Sequence, residues 1–227
     1  MMKQNNKCKS IILLSGGLDS LVCLGLCRDT YNIELALTFD YGQKSRKNEI
    51  NSAKKLCKYY GVKNHEVIKL DWLKSITNCA LVSEVPLPKG INNNPATNQV
   101  WVPNRNGLFL NIAASYADSK EFTHIIIGAN KEEAECFPDN TKEFINKINA
   151  EFECSTMHTP EVISPLINYN KNDIVKLALD NAMPLDLVYS CYDAKKYHCG
   201  ECESCTRLKK ALEANGDTYY KDKIFKN

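Results

Sequence analysis

The sequence predicts an α/β fold in which a parallel sheet is covered by helices on both faces, followed by a small cysteine-rich element. Two observations support this prediction. Short apolar runs alternate with helix-like stretches along most of the chain, and four of the 11 cysteines cluster near the C-terminus. Alternation of strands and helices favours a parallel sheet, because parallel neighbours need long crossover connections. With 227 residues, we assign residues 1–185 to the α/β domain and residues 186–227 to the C-terminal element.

The first half of the chain predicts three strands and two helices. A short apolar run ends in two glycines, and the apolar residues after it recur at the spacing of a helix face. The charged stretch from residue 44 onwards also has helical periodicity. The predicted elements, in order, are a strand at Ile11–Leu14, a helix from Leu18, a strand at Ile33–Phe39, a helix at Lys44–Tyr60 and a strand at His65–Leu70.

The second half predicts one more strand and three helices. They are a helix at Leu108–Asp118, a strand at Thr123–Gly128, and helices at Pro138–Glu153 and Asn170–Ala182. Asn170 or Asn172 is suited to cap the last helix. The segment Cys79–Pro103 is rich in proline, glycine and asparagine, which forbid a long regular element, and we expect a mobile loop or lid there.

Charge and hydropathy exclude several classes of partner. Lys and Arg total 29 against 27 Asp and Glu, so the formal charge of +2 gives no general attraction to nucleic acid or anionic lipid. The apolar run near the start is too short for a signal-peptide core or a membrane span. We therefore expect a cytoplasmic protein without a membrane or nucleic-acid partner.

The string Ser15-Gly16-Gly17-Leu18-Asp19-Ser20 predicts a phosphate-binding loop between a strand and a helix. A helix that begins there presents unpaired N–H groups and a partial positive charge, and the glycines let an oxygen-rich group approach the backbone. The string lacks the Lys-Ser/Thr ending of a Walker A loop and the spacing of a dinucleotide fingerprint. The alternative interpretation is a simple tight turn, with Asp19 and Ser20 as first-turn helix residues.

The C-terminal cysteines predict a metal site. Cys191, Cys199, Cys202 and Cys205 have the spacing C-x7-C-x2-C-x2-C, and four thiolates can close a tetrahedral structural zinc site. An iron–sulfur cluster also takes four thiolates, and reduced cysteines without metal are the third possibility. His198 is left out of the ligand set, because two adjacent residues rarely aim at one ion. A closed four-cysteine site serves folding rather than Lewis-acid chemistry.

The two motifs together resemble the 7-cyano-7-deazaguanine synthase family of queuosine biosynthesis, which lies within the N-type ATP pyrophosphatases of the PP-loop superfamily. The resemblance covers nearly the whole chain. Its further marks are Phe39-Asp40-Tyr41-Gly42-Gln43, Val102-Pro103-Asn104-Arg105-Asn106, Gly128-Ala129-Asn130, Phe137-Pro138-Asp139, Ser164-Pro165-Leu166 and Ser190-Cys191-Tyr192.

The resemblance implies an adenine nucleotide alpha hydrolase-like, Rossmann-like fold and an ATP-dependent C–N ligase. In such an enzyme, ATP adenylylates the carboxylate of 7-carboxy-7-deazaguanine, ammonia displaces AMP to give an amide, and a second activation dehydrates the amide to a nitrile. It further implies one structural zinc ion per chain, magnesium with ATP, and a homodimer.

The resemblance also implies roles for particular residues. The nucleotide segment runs over Leu14, Ser15, Gly16, Gly17, Leu18, Asp19, Ser20, Leu21 and Val22. Ser15 and Asp19 are the candidate catalytic residues, and Asp19 is equally explained by the helix dipole. Arg105 is a candidate for the substrate carboxylate, because its planar fork suits bidentate pairing. Asn106 and Asp139 are candidates for the polar edges of the deazapurine, and Gln43 for a position beside the nucleotide.

Several residues depart from the family pattern. Ser45 stands where histidine is common, Val22 where threonine is common, and Glu133–Cys136 and Asn140-Thr141 where Asp-Tyr-Ser-Gly and Cys-Arg are common. These departures concern the substrate contacts rather than the loop or the metal site. A tRNA-modifying ATP pyrophosphatase and a cysteine-knuckle interaction module are the competing functions. The tRNA-modifying enzyme predicts a basic face or an extra RNA domain, whereas this chain is nearly neutral. The interaction module predicts weak, salt-dependent RNA binding, but Glu201 and Glu203 dilute the basic residues around the knuckle.

Overall fold

The computed structural model describes residues 7–91 and 99–225. Five strands lie in chain order: β1 (Lys9–Leu13), β2 (Asn32–Asp40), β3 (Asn64–Lys69), β4 (His124–Ile126) and β5 (Glu161–Ile163). Eight helices accompany them in the described residues: α1 (Leu18–Cys27), α2 (Arg46–Tyr60), α3 (Arg105–Lys120), α4 (Lys131–Ala134), α5 (Lys142–Ser155), α6 (Lys171–Asp180), α7 (Glu203–Ala214) and α8 (Tyr219–Ile224).

The strands form one parallel sheet in the order β3-β2-β1-β4-β5. Strand β1 therefore lies in the centre, with β2 on one side and β4 on the other. The strand order reverses at this point, and in open parallel sheets the crevice at such a reversal is the usual ligand site. The predicted α/β class is confirmed, and the carboxyl ends of β1 and β4 mark where a ligand is expected.

Two apolar cores cover the two faces of the sheet. Alternate residues of each strand point to opposite faces, so that Ile12 and Ile126 pack with α1, α2, α6 and α7, whereas Ile11 and Ile125 pack with α3 and α5. All four isoleucines are at most 1% exposed. Burial on both faces explains why these strands are continuous apolar runs rather than alternating ones.

Most of the predicted elements are present, with shifted ends. The helix predicted from Pro138 begins at Lys142, because Pro138–Asn140 forms a 3-10 turn and the Thr141 hydroxyl accepts the Phe144 N–H as the true cap. Asn170, not Asn172, caps α6, in a capping box with Asp173. The short elements β5 and α4, together with α7 and α8, were not predicted.

The segment Cys79–Pro103 forms no helix or strand over its described residues, as predicted. Leu81, Val100 and Val102 are buried in the core beside α3, and the Ala80 N–H donates to the Gln99 carbonyl at 2.8 Å. Both described ends of the segment are therefore packed against the domain. Residues 92–98 lie outside the described residues, and mobility of the segment stays a prediction.

The C-terminal element packs onto the α/β domain. Leu208, Ala211 and Leu212 of α7 belong to the same core as α1 and α6. The apolar core of α1 and α6 continues into α7, on the other side of the predicted boundary at residue 185. The boundary itself stays a prediction. None of the described helices combines the length and the apolar character needed to cross a membrane.

Candidate functional site

A cavity of about 250 Å³ opens at the carboxyl ends of β1, β2 and β4. Its wall contains most of the predicted glycine loop, together with Gln43, Arg105 and Asn106. Leu21 and Val22 do not line the cavity and are fully buried in the core of α1. Asp139 lies outside the lining, behind Asn106. The fold thus brings most of the predicted nucleotide loop and three of the four predicted substrate residues to one cavity.

Three serine hydroxyls accept the backbone N–H groups of the glycine loop. The Gly16 N–H donates to Ser20 Oγ at 3.1 Å and the Gly17 N–H donates to Ser15 Oγ at 3.3 Å. The Leu18 N–H donates to Ser190 Oγ at 3.1 Å, across 172 residues of chain. Because unpaired backbone donors cost free energy, these bonds stabilise the loop at the start of α1.

Close packing against α2 requires a glycine at position 16. Its φ is +82°, and a Cβ there would lie 2.5 Å from the Glu49 carbonyl oxygen. Ser52 Oγ donates to the Gly16 carbonyl at 2.7 Å, and the Tyr189 N–H donates to the same oxygen at 2.8 Å. The loop is therefore held from two sides before any ligand binds.

Asp19 forms a buried ion pair with Lys171, the first residue of α6. Lys171 Nζ lies 2.5 Å from Asp19 Oδ2 and 3.0 Å from Glu133 Oε1. The other oxygen of Asp19, Oδ1, is buried without a hydrogen-bond partner among the described residues. Burial raises the pKa of Asp19, and Lys171 opposes that rise. The two carboxylates in turn hold the pKa of Lys171 above its usual range despite burial.

A second charged cluster joins α4 to the C-terminal element. Arg207 of α7 pairs with Glu203 at 2.8 Å and with Glu132, and the Glu132 carboxylate also accepts the Lys171 N–H at 2.9 Å. Glu132 and Glu133 therefore connect α7 to the start of α6. This connection places the cysteine-containing element against the wall of the cavity.

Arg105 is held at the start of α3 by Tyr41. Its Nη1 donates to the Tyr41 hydroxyl at 3.0 Å, and its guanidinium carbon lies 5.8 Å from the centre of the tyrosine ring. Burial raises the pKa of Tyr41 to about 12, while Arg105 opposes that rise. The guanidinium remains charged and faces the cavity with donors that this one bond does not use.

Asp139 supports Asn106 rather than lining the cavity. Its Oδ2 accepts the Asn106 N–H at 3.2 Å, and the Asn106 side-chain amide donates to the Asp139 carbonyl at 3.0 Å. Its Oδ1 accepts from the Asn140 side-chain amide at 3.1 Å. The carboxylate thus bonds the first turn of α3, and burial raises its pKa while Arg105 and the Asn106 N–H oppose that rise.

Gln43 and Glu49 form a buried polar cluster at the base of the cavity. Gln43 Oε1 accepts the Tyr41 N–H at 3.0 Å, and Gln43 Nε2 donates to the Phe39 carbonyl at 3.0 Å and to Glu49 Oε2 at 2.8 Å. The Ser45 hydroxyl donates to the other oxygen of Glu49. Burial raises the pKa of Glu49, while the bonds from Gln43 and Ser45 lower it. The side chain of Gln43 therefore fixes the turn after β2.

The four predicted cysteines converge on one point. The sulfur atoms of Cys191, Cys199, Cys202 and Cys205 lie within 4.8 Å of one another, and Cys199 Sγ is 3.8 Å from Cys205 Sγ. Tetrahedral zinc with Zn–S bonds of about 2.3 Å separates its sulfur ligands by about 3.8 Å. The residues therefore fit a four-coordinate metal ion, and the Cys199 N–H and Asp193 N–H both donate to Cys191 Sγ, as expected of a thiolate.

His198 is engaged elsewhere. Its Nε2 accepts the Ser190 N–H at 3.0 Å, which fixes the imidazole as a neutral acceptor at that atom. Burial lowers the pKa of His198 to about 4. Leaving His198 out of the ligand set is consistent with this geometry, and the histidine instead orients the backbone between the cysteines and the glycine loop.

Among the cavity residues that the sequence did not predict are Lys171, Ser190 and Glu49. Lys171 follows a predicted cap and looks like an ordinary first-turn lysine. Ser190 belongs to the string Ser190-Cys191-Tyr192, in which the cysteine is the predicted ligand. Glu49 lies at i+4 from Ser45 on a charged helix, which is typical of a solvated face. The sequence offers one signal for this group of residues: Ser190 directly precedes a predicted metal ligand.

The fold and the site define an α/β protein with a five-stranded parallel sheet, a cavity at the carboxyl ends of its central strands and a four-cysteine centre. The family model for the queuosine biosynthesis protein QueC matches residues 9–216, and the chain belongs to this family. It is 43% identical over 221 residues to the 7-cyano-7-deazaguanine synthase of Methanosarcina barkeri, with 92% of this chain and 95% of the relative covered. It is 45% identical over 214 residues to the synthase of the same name from Carboxydothermus hydrogenoformans, with 91% and 99% covered.

Proposed function

We propose that this protein is an ATP-dependent 7-cyano-7-deazaguanine synthase of queuosine biosynthesis. Its substrates are 7-carboxy-7-deazaguanine, ammonia and ATP, and its product is the nitrile. Relatives with that name match the chain over nearly their full length. The structural observation that carries the proposal is that the glycine loop and Arg105 face one cavity, so that a triphosphate and a carboxylate can meet there.

The proposed chemistry activates the two carboxylate oxygens in turn, each with one ATP. A carboxylate oxygen attacks the α-phosphorus of ATP, pyrophosphate leaves, and ammonia then displaces AMP from the acyl carbon to give an amide. A second ATP adenylylates the amide oxygen with release of pyrophosphate, and loss of both protons from nitrogen and of AMP from carbon gives the nitrile. Loop N–H and hydroxyl dipoles that are already in place favour the charge that develops on the departing pyrophosphate.

Within this scheme, the loop from Leu14 to Ser20 holds the triphosphate, with Ser15 and Asp19 beside the reacting phosphates. Oδ1 of Asp19, which has no hydrogen-bond partner in the described part of the chain, is a carboxylate oxygen of the type that Mg²⁺ prefers as a ligand, which supports a role in holding magnesium with ATP. Magnesium would neutralise charge on the phosphate oxygens. The pairing of Asp19 with Lys171 keeps this carboxylate buried and ready for a cation.

Arg105 and Asn106 are the proposed contacts of the deazaguanine substrate. The guanidinium of Arg105 binds the carboxylate, and the fixed amide of Asn106 reads a polar edge of the ring system. Asp139 and Gln43 contribute by holding Asn106 and the turn after β2, because their own polar atoms are bonded within the protein.

The four cysteines are proposed to hold one structural zinc ion. The short sulfur separations support a tetrahedral ion, and four protein ligands leave no open coordination position for chemistry. The 11 free cysteines suit a reducing compartment, which supports a cytoplasmic enzyme. A homodimer is proposed on the family resemblance, and the near-neutral charge supports the absence of a nucleic-acid partner.

The test is incubation of the purified protein with ATP, Mg²⁺, ammonium and 7-carboxy-7-deazaguanine, followed by mass spectrometry. The expected result is the nitrile together with two AMP for each molecule of product. AMP formation that does not depend on the deazaguanine, or AMP without nitrile, would reject the assignment. The Ser15→Ala variant should lose turnover, whereas Ser115→Ala, which removes an exposed hydroxyl of α3, should keep it.

A further inference from the structure

We propose that Ser190, a residue of the C-terminal element, lies beside the glycine loop as a direct ligand of the pyrophosphate part of ATP. This inference rests on the proposed function only in taking the bound anion to be ATP pyrophosphate. The cysteine centre then has a second role, because besides stabilising the fold it supplies one wall of the phosphate site.

The position of Ser190 is the first argument. Its hydroxyl oxygen is 3.1 Å from the Leu18 N and lines the same cavity as the loop. A Cβ on Gly17 would lie 3.6 Å from that oxygen, so the hydroxyl is beside the second glycine of the loop. An anion seated on the loop is therefore within reach of Ser190.

The direction of the hydrogen bonds is the second argument. Ser15 donates its hydroxyl hydrogen to Ser20 Oγ, and Ser20 donates to the Gly17 carbonyl at 3.0 Å. Ser190 accepts from Leu18, and within residues 7–91 and 99–225 its own hydroxyl hydrogen has no acceptor. Of these three hydroxyls, Ser190 is thus the one that can donate to a phosphate oxygen without breaking a bond of the loop.

The attachment of Ser190 is the third argument. Its N–H donates to His198 Nε2 at 3.0 Å, the preceding Tyr189 N–H donates to the Gly16 carbonyl at 2.8 Å, and the following residue is Cys191. The backbone on both sides of Ser190 is therefore fixed, on one side to the loop and on the other to the cysteine centre. A donor that is held in place in the free protein loses little entropy when the anion binds.

The experiment compares Ser190→Thr with Ser190→Val, a pair of nearly equal volume that differs in the hydroxyl. Ser190→Ala gives the same comparison without added volume. Binding of magnesium pyrophosphate, ATP and adenosine is measured by calorimetry without the deazaguanine. We expect the valine and alanine variants to bind pyrophosphate and ATP about tenfold more weakly. The threonine variant should bind within about threefold of the wild type, and adenosine binding should not change.

Zinc content and melting temperature of the free protein are measured on every variant, and Ser10→Ala serves as the matched control. Ser10 is fully buried at the amino end of β1, where its hydroxyl donates to the Cys8 carbonyl at 3.0 Å. Equal pyrophosphate affinity of the threonine and valine variants would overturn the proposal. Equal loss of adenosine and pyrophosphate binding would overturn it too, because a purely structural role is then sufficient.

Failure of the proposed function is a separate outcome. If the wild type binds pyrophosphate through Ser190 but forms no nitrile, the role of Ser190 stands and the reaction assignment fails. If the wild type forms nitrile and Ser190→Val matches Ser190→Thr in pyrophosphate affinity, the reaction assignment stands and the role of Ser190 fails.

Discussion

Lys171 Nζ lies 2.5 Å from Asp19 Oδ2, across 152 residues of chain, and this contact ties the first turn of α6 to the first turn of α1. The ammonium also contacts Glu133, so one cation serves two partly buried carboxylates. Without the cation the two carboxylates would repel each other where water solvates them only in part, which is costly.

Replacing Lys171 should therefore be severe. Lys171→Met leaves two neighbouring carboxylates without their cation, and we expect the free energy of unfolding to fall by about 3–5 kcal/mol. Urea unfolding measures this loss. Lys176→Met on the same helix is the control: its side chain is 64% exposed and pairs with the exposed Asp180, and the expected change is below about 1 kcal/mol. A loss no larger than that of the control contradicts the prediction.

Asp19→Asn should separate activity from stability. Burial raises the pKa of Asp19, so above its folded-state pKa the ionised side chain disfavours the fold. At pH 7.5 we expect the variant to melt at or above the wild-type temperature, while AMP formation falls about 100-fold or more. Asp118→Asn is the contrast, because N–H donation from His158 lowers the pKa of that carboxylate and its removal should lower the melting temperature.

Arg105→Lys should affect one substrate only. The ammonium keeps the charge but loses the planar fork, so the KM for 7-carboxy-7-deazaguanine should rise about tenfold while the KM for ATP stays within about twofold. Steady-state kinetics with each substrate varied in turn measures both. Arg28→Lys, at an exposed position that pairs with Asp29, should match the wild type. An equal rise in both KM values would place Arg105 outside the carboxylate site.

Cys199→Ser should cost the protein its metal first. A structural zinc ion contributes directly to folding, so we expect the zinc content to fall from near one ion per chain and soluble protein to be lost with it. Elemental analysis and soluble yield measure the two effects. Cys154→Ser, at an exposed cysteine of α5, is the control and should keep the ion. A Cys199→Ser protein that retains both zinc and stability would show that the four-cysteine assignment is wrong.

The pKa of His65 predicts a pH dependence of stability. Its Nε2 lies 2.8 Å from Thr38 Oγ1, which donates to the Leu14 carbonyl and therefore accepts the His65 N–H. Burial, and then Lys54, lower the pKa of His65 below its usual 6.5. The resulting stabilisation is complete above the unfolded-state pKa and is lost as the pH falls below it. Between pH 7.5 and pH 5, the melting temperature of His65→Gln should therefore fall less than that of the wild type.

Local signals allowed much of the fold to be predicted from the sequence. The buried strands are continuous apolar runs, and Asn170 is a cap residue with an acidic residue at the third helical position. Each of these signals lies within a few consecutive residues. Strand β5 was missed because Val162 and Ile163 are its only apolar residues, whereas the equally short β4 lies in the longer apolar run Ile125–Ile127. The start of α5 was misplaced because Pro138 suits a 3-10 turn as well as a first helical turn.

The candidate site was less predictable because its contacts join distant parts of the chain. The glycine loop and the four cysteines were found because their spacing itself carries the chemistry. The partners of the loop, Lys171 and Ser190, lie far away in sequence, and nothing in their neighbours indicates which side of the fold they face. Asp139 shows the opposite difficulty, since a carboxylate in a family motif suggested a substrate contact whereas its oxygens hold the first turn of α3.

The central position of β1 has a consequence for synthesis on the ribosome. This strand leaves the exit tunnel early, but one of its two neighbours, β4, and the residues that hold its loop, Lys171, Tyr189 and Ser190, follow more than a hundred residues later. Because such distant contacts form late, a nascent chain cannot assemble the loop with its partners until the segment from Lys171 to Ser190 has emerged. A chain that terminates before Lys171 therefore contains the loop without the three later residues that hold it.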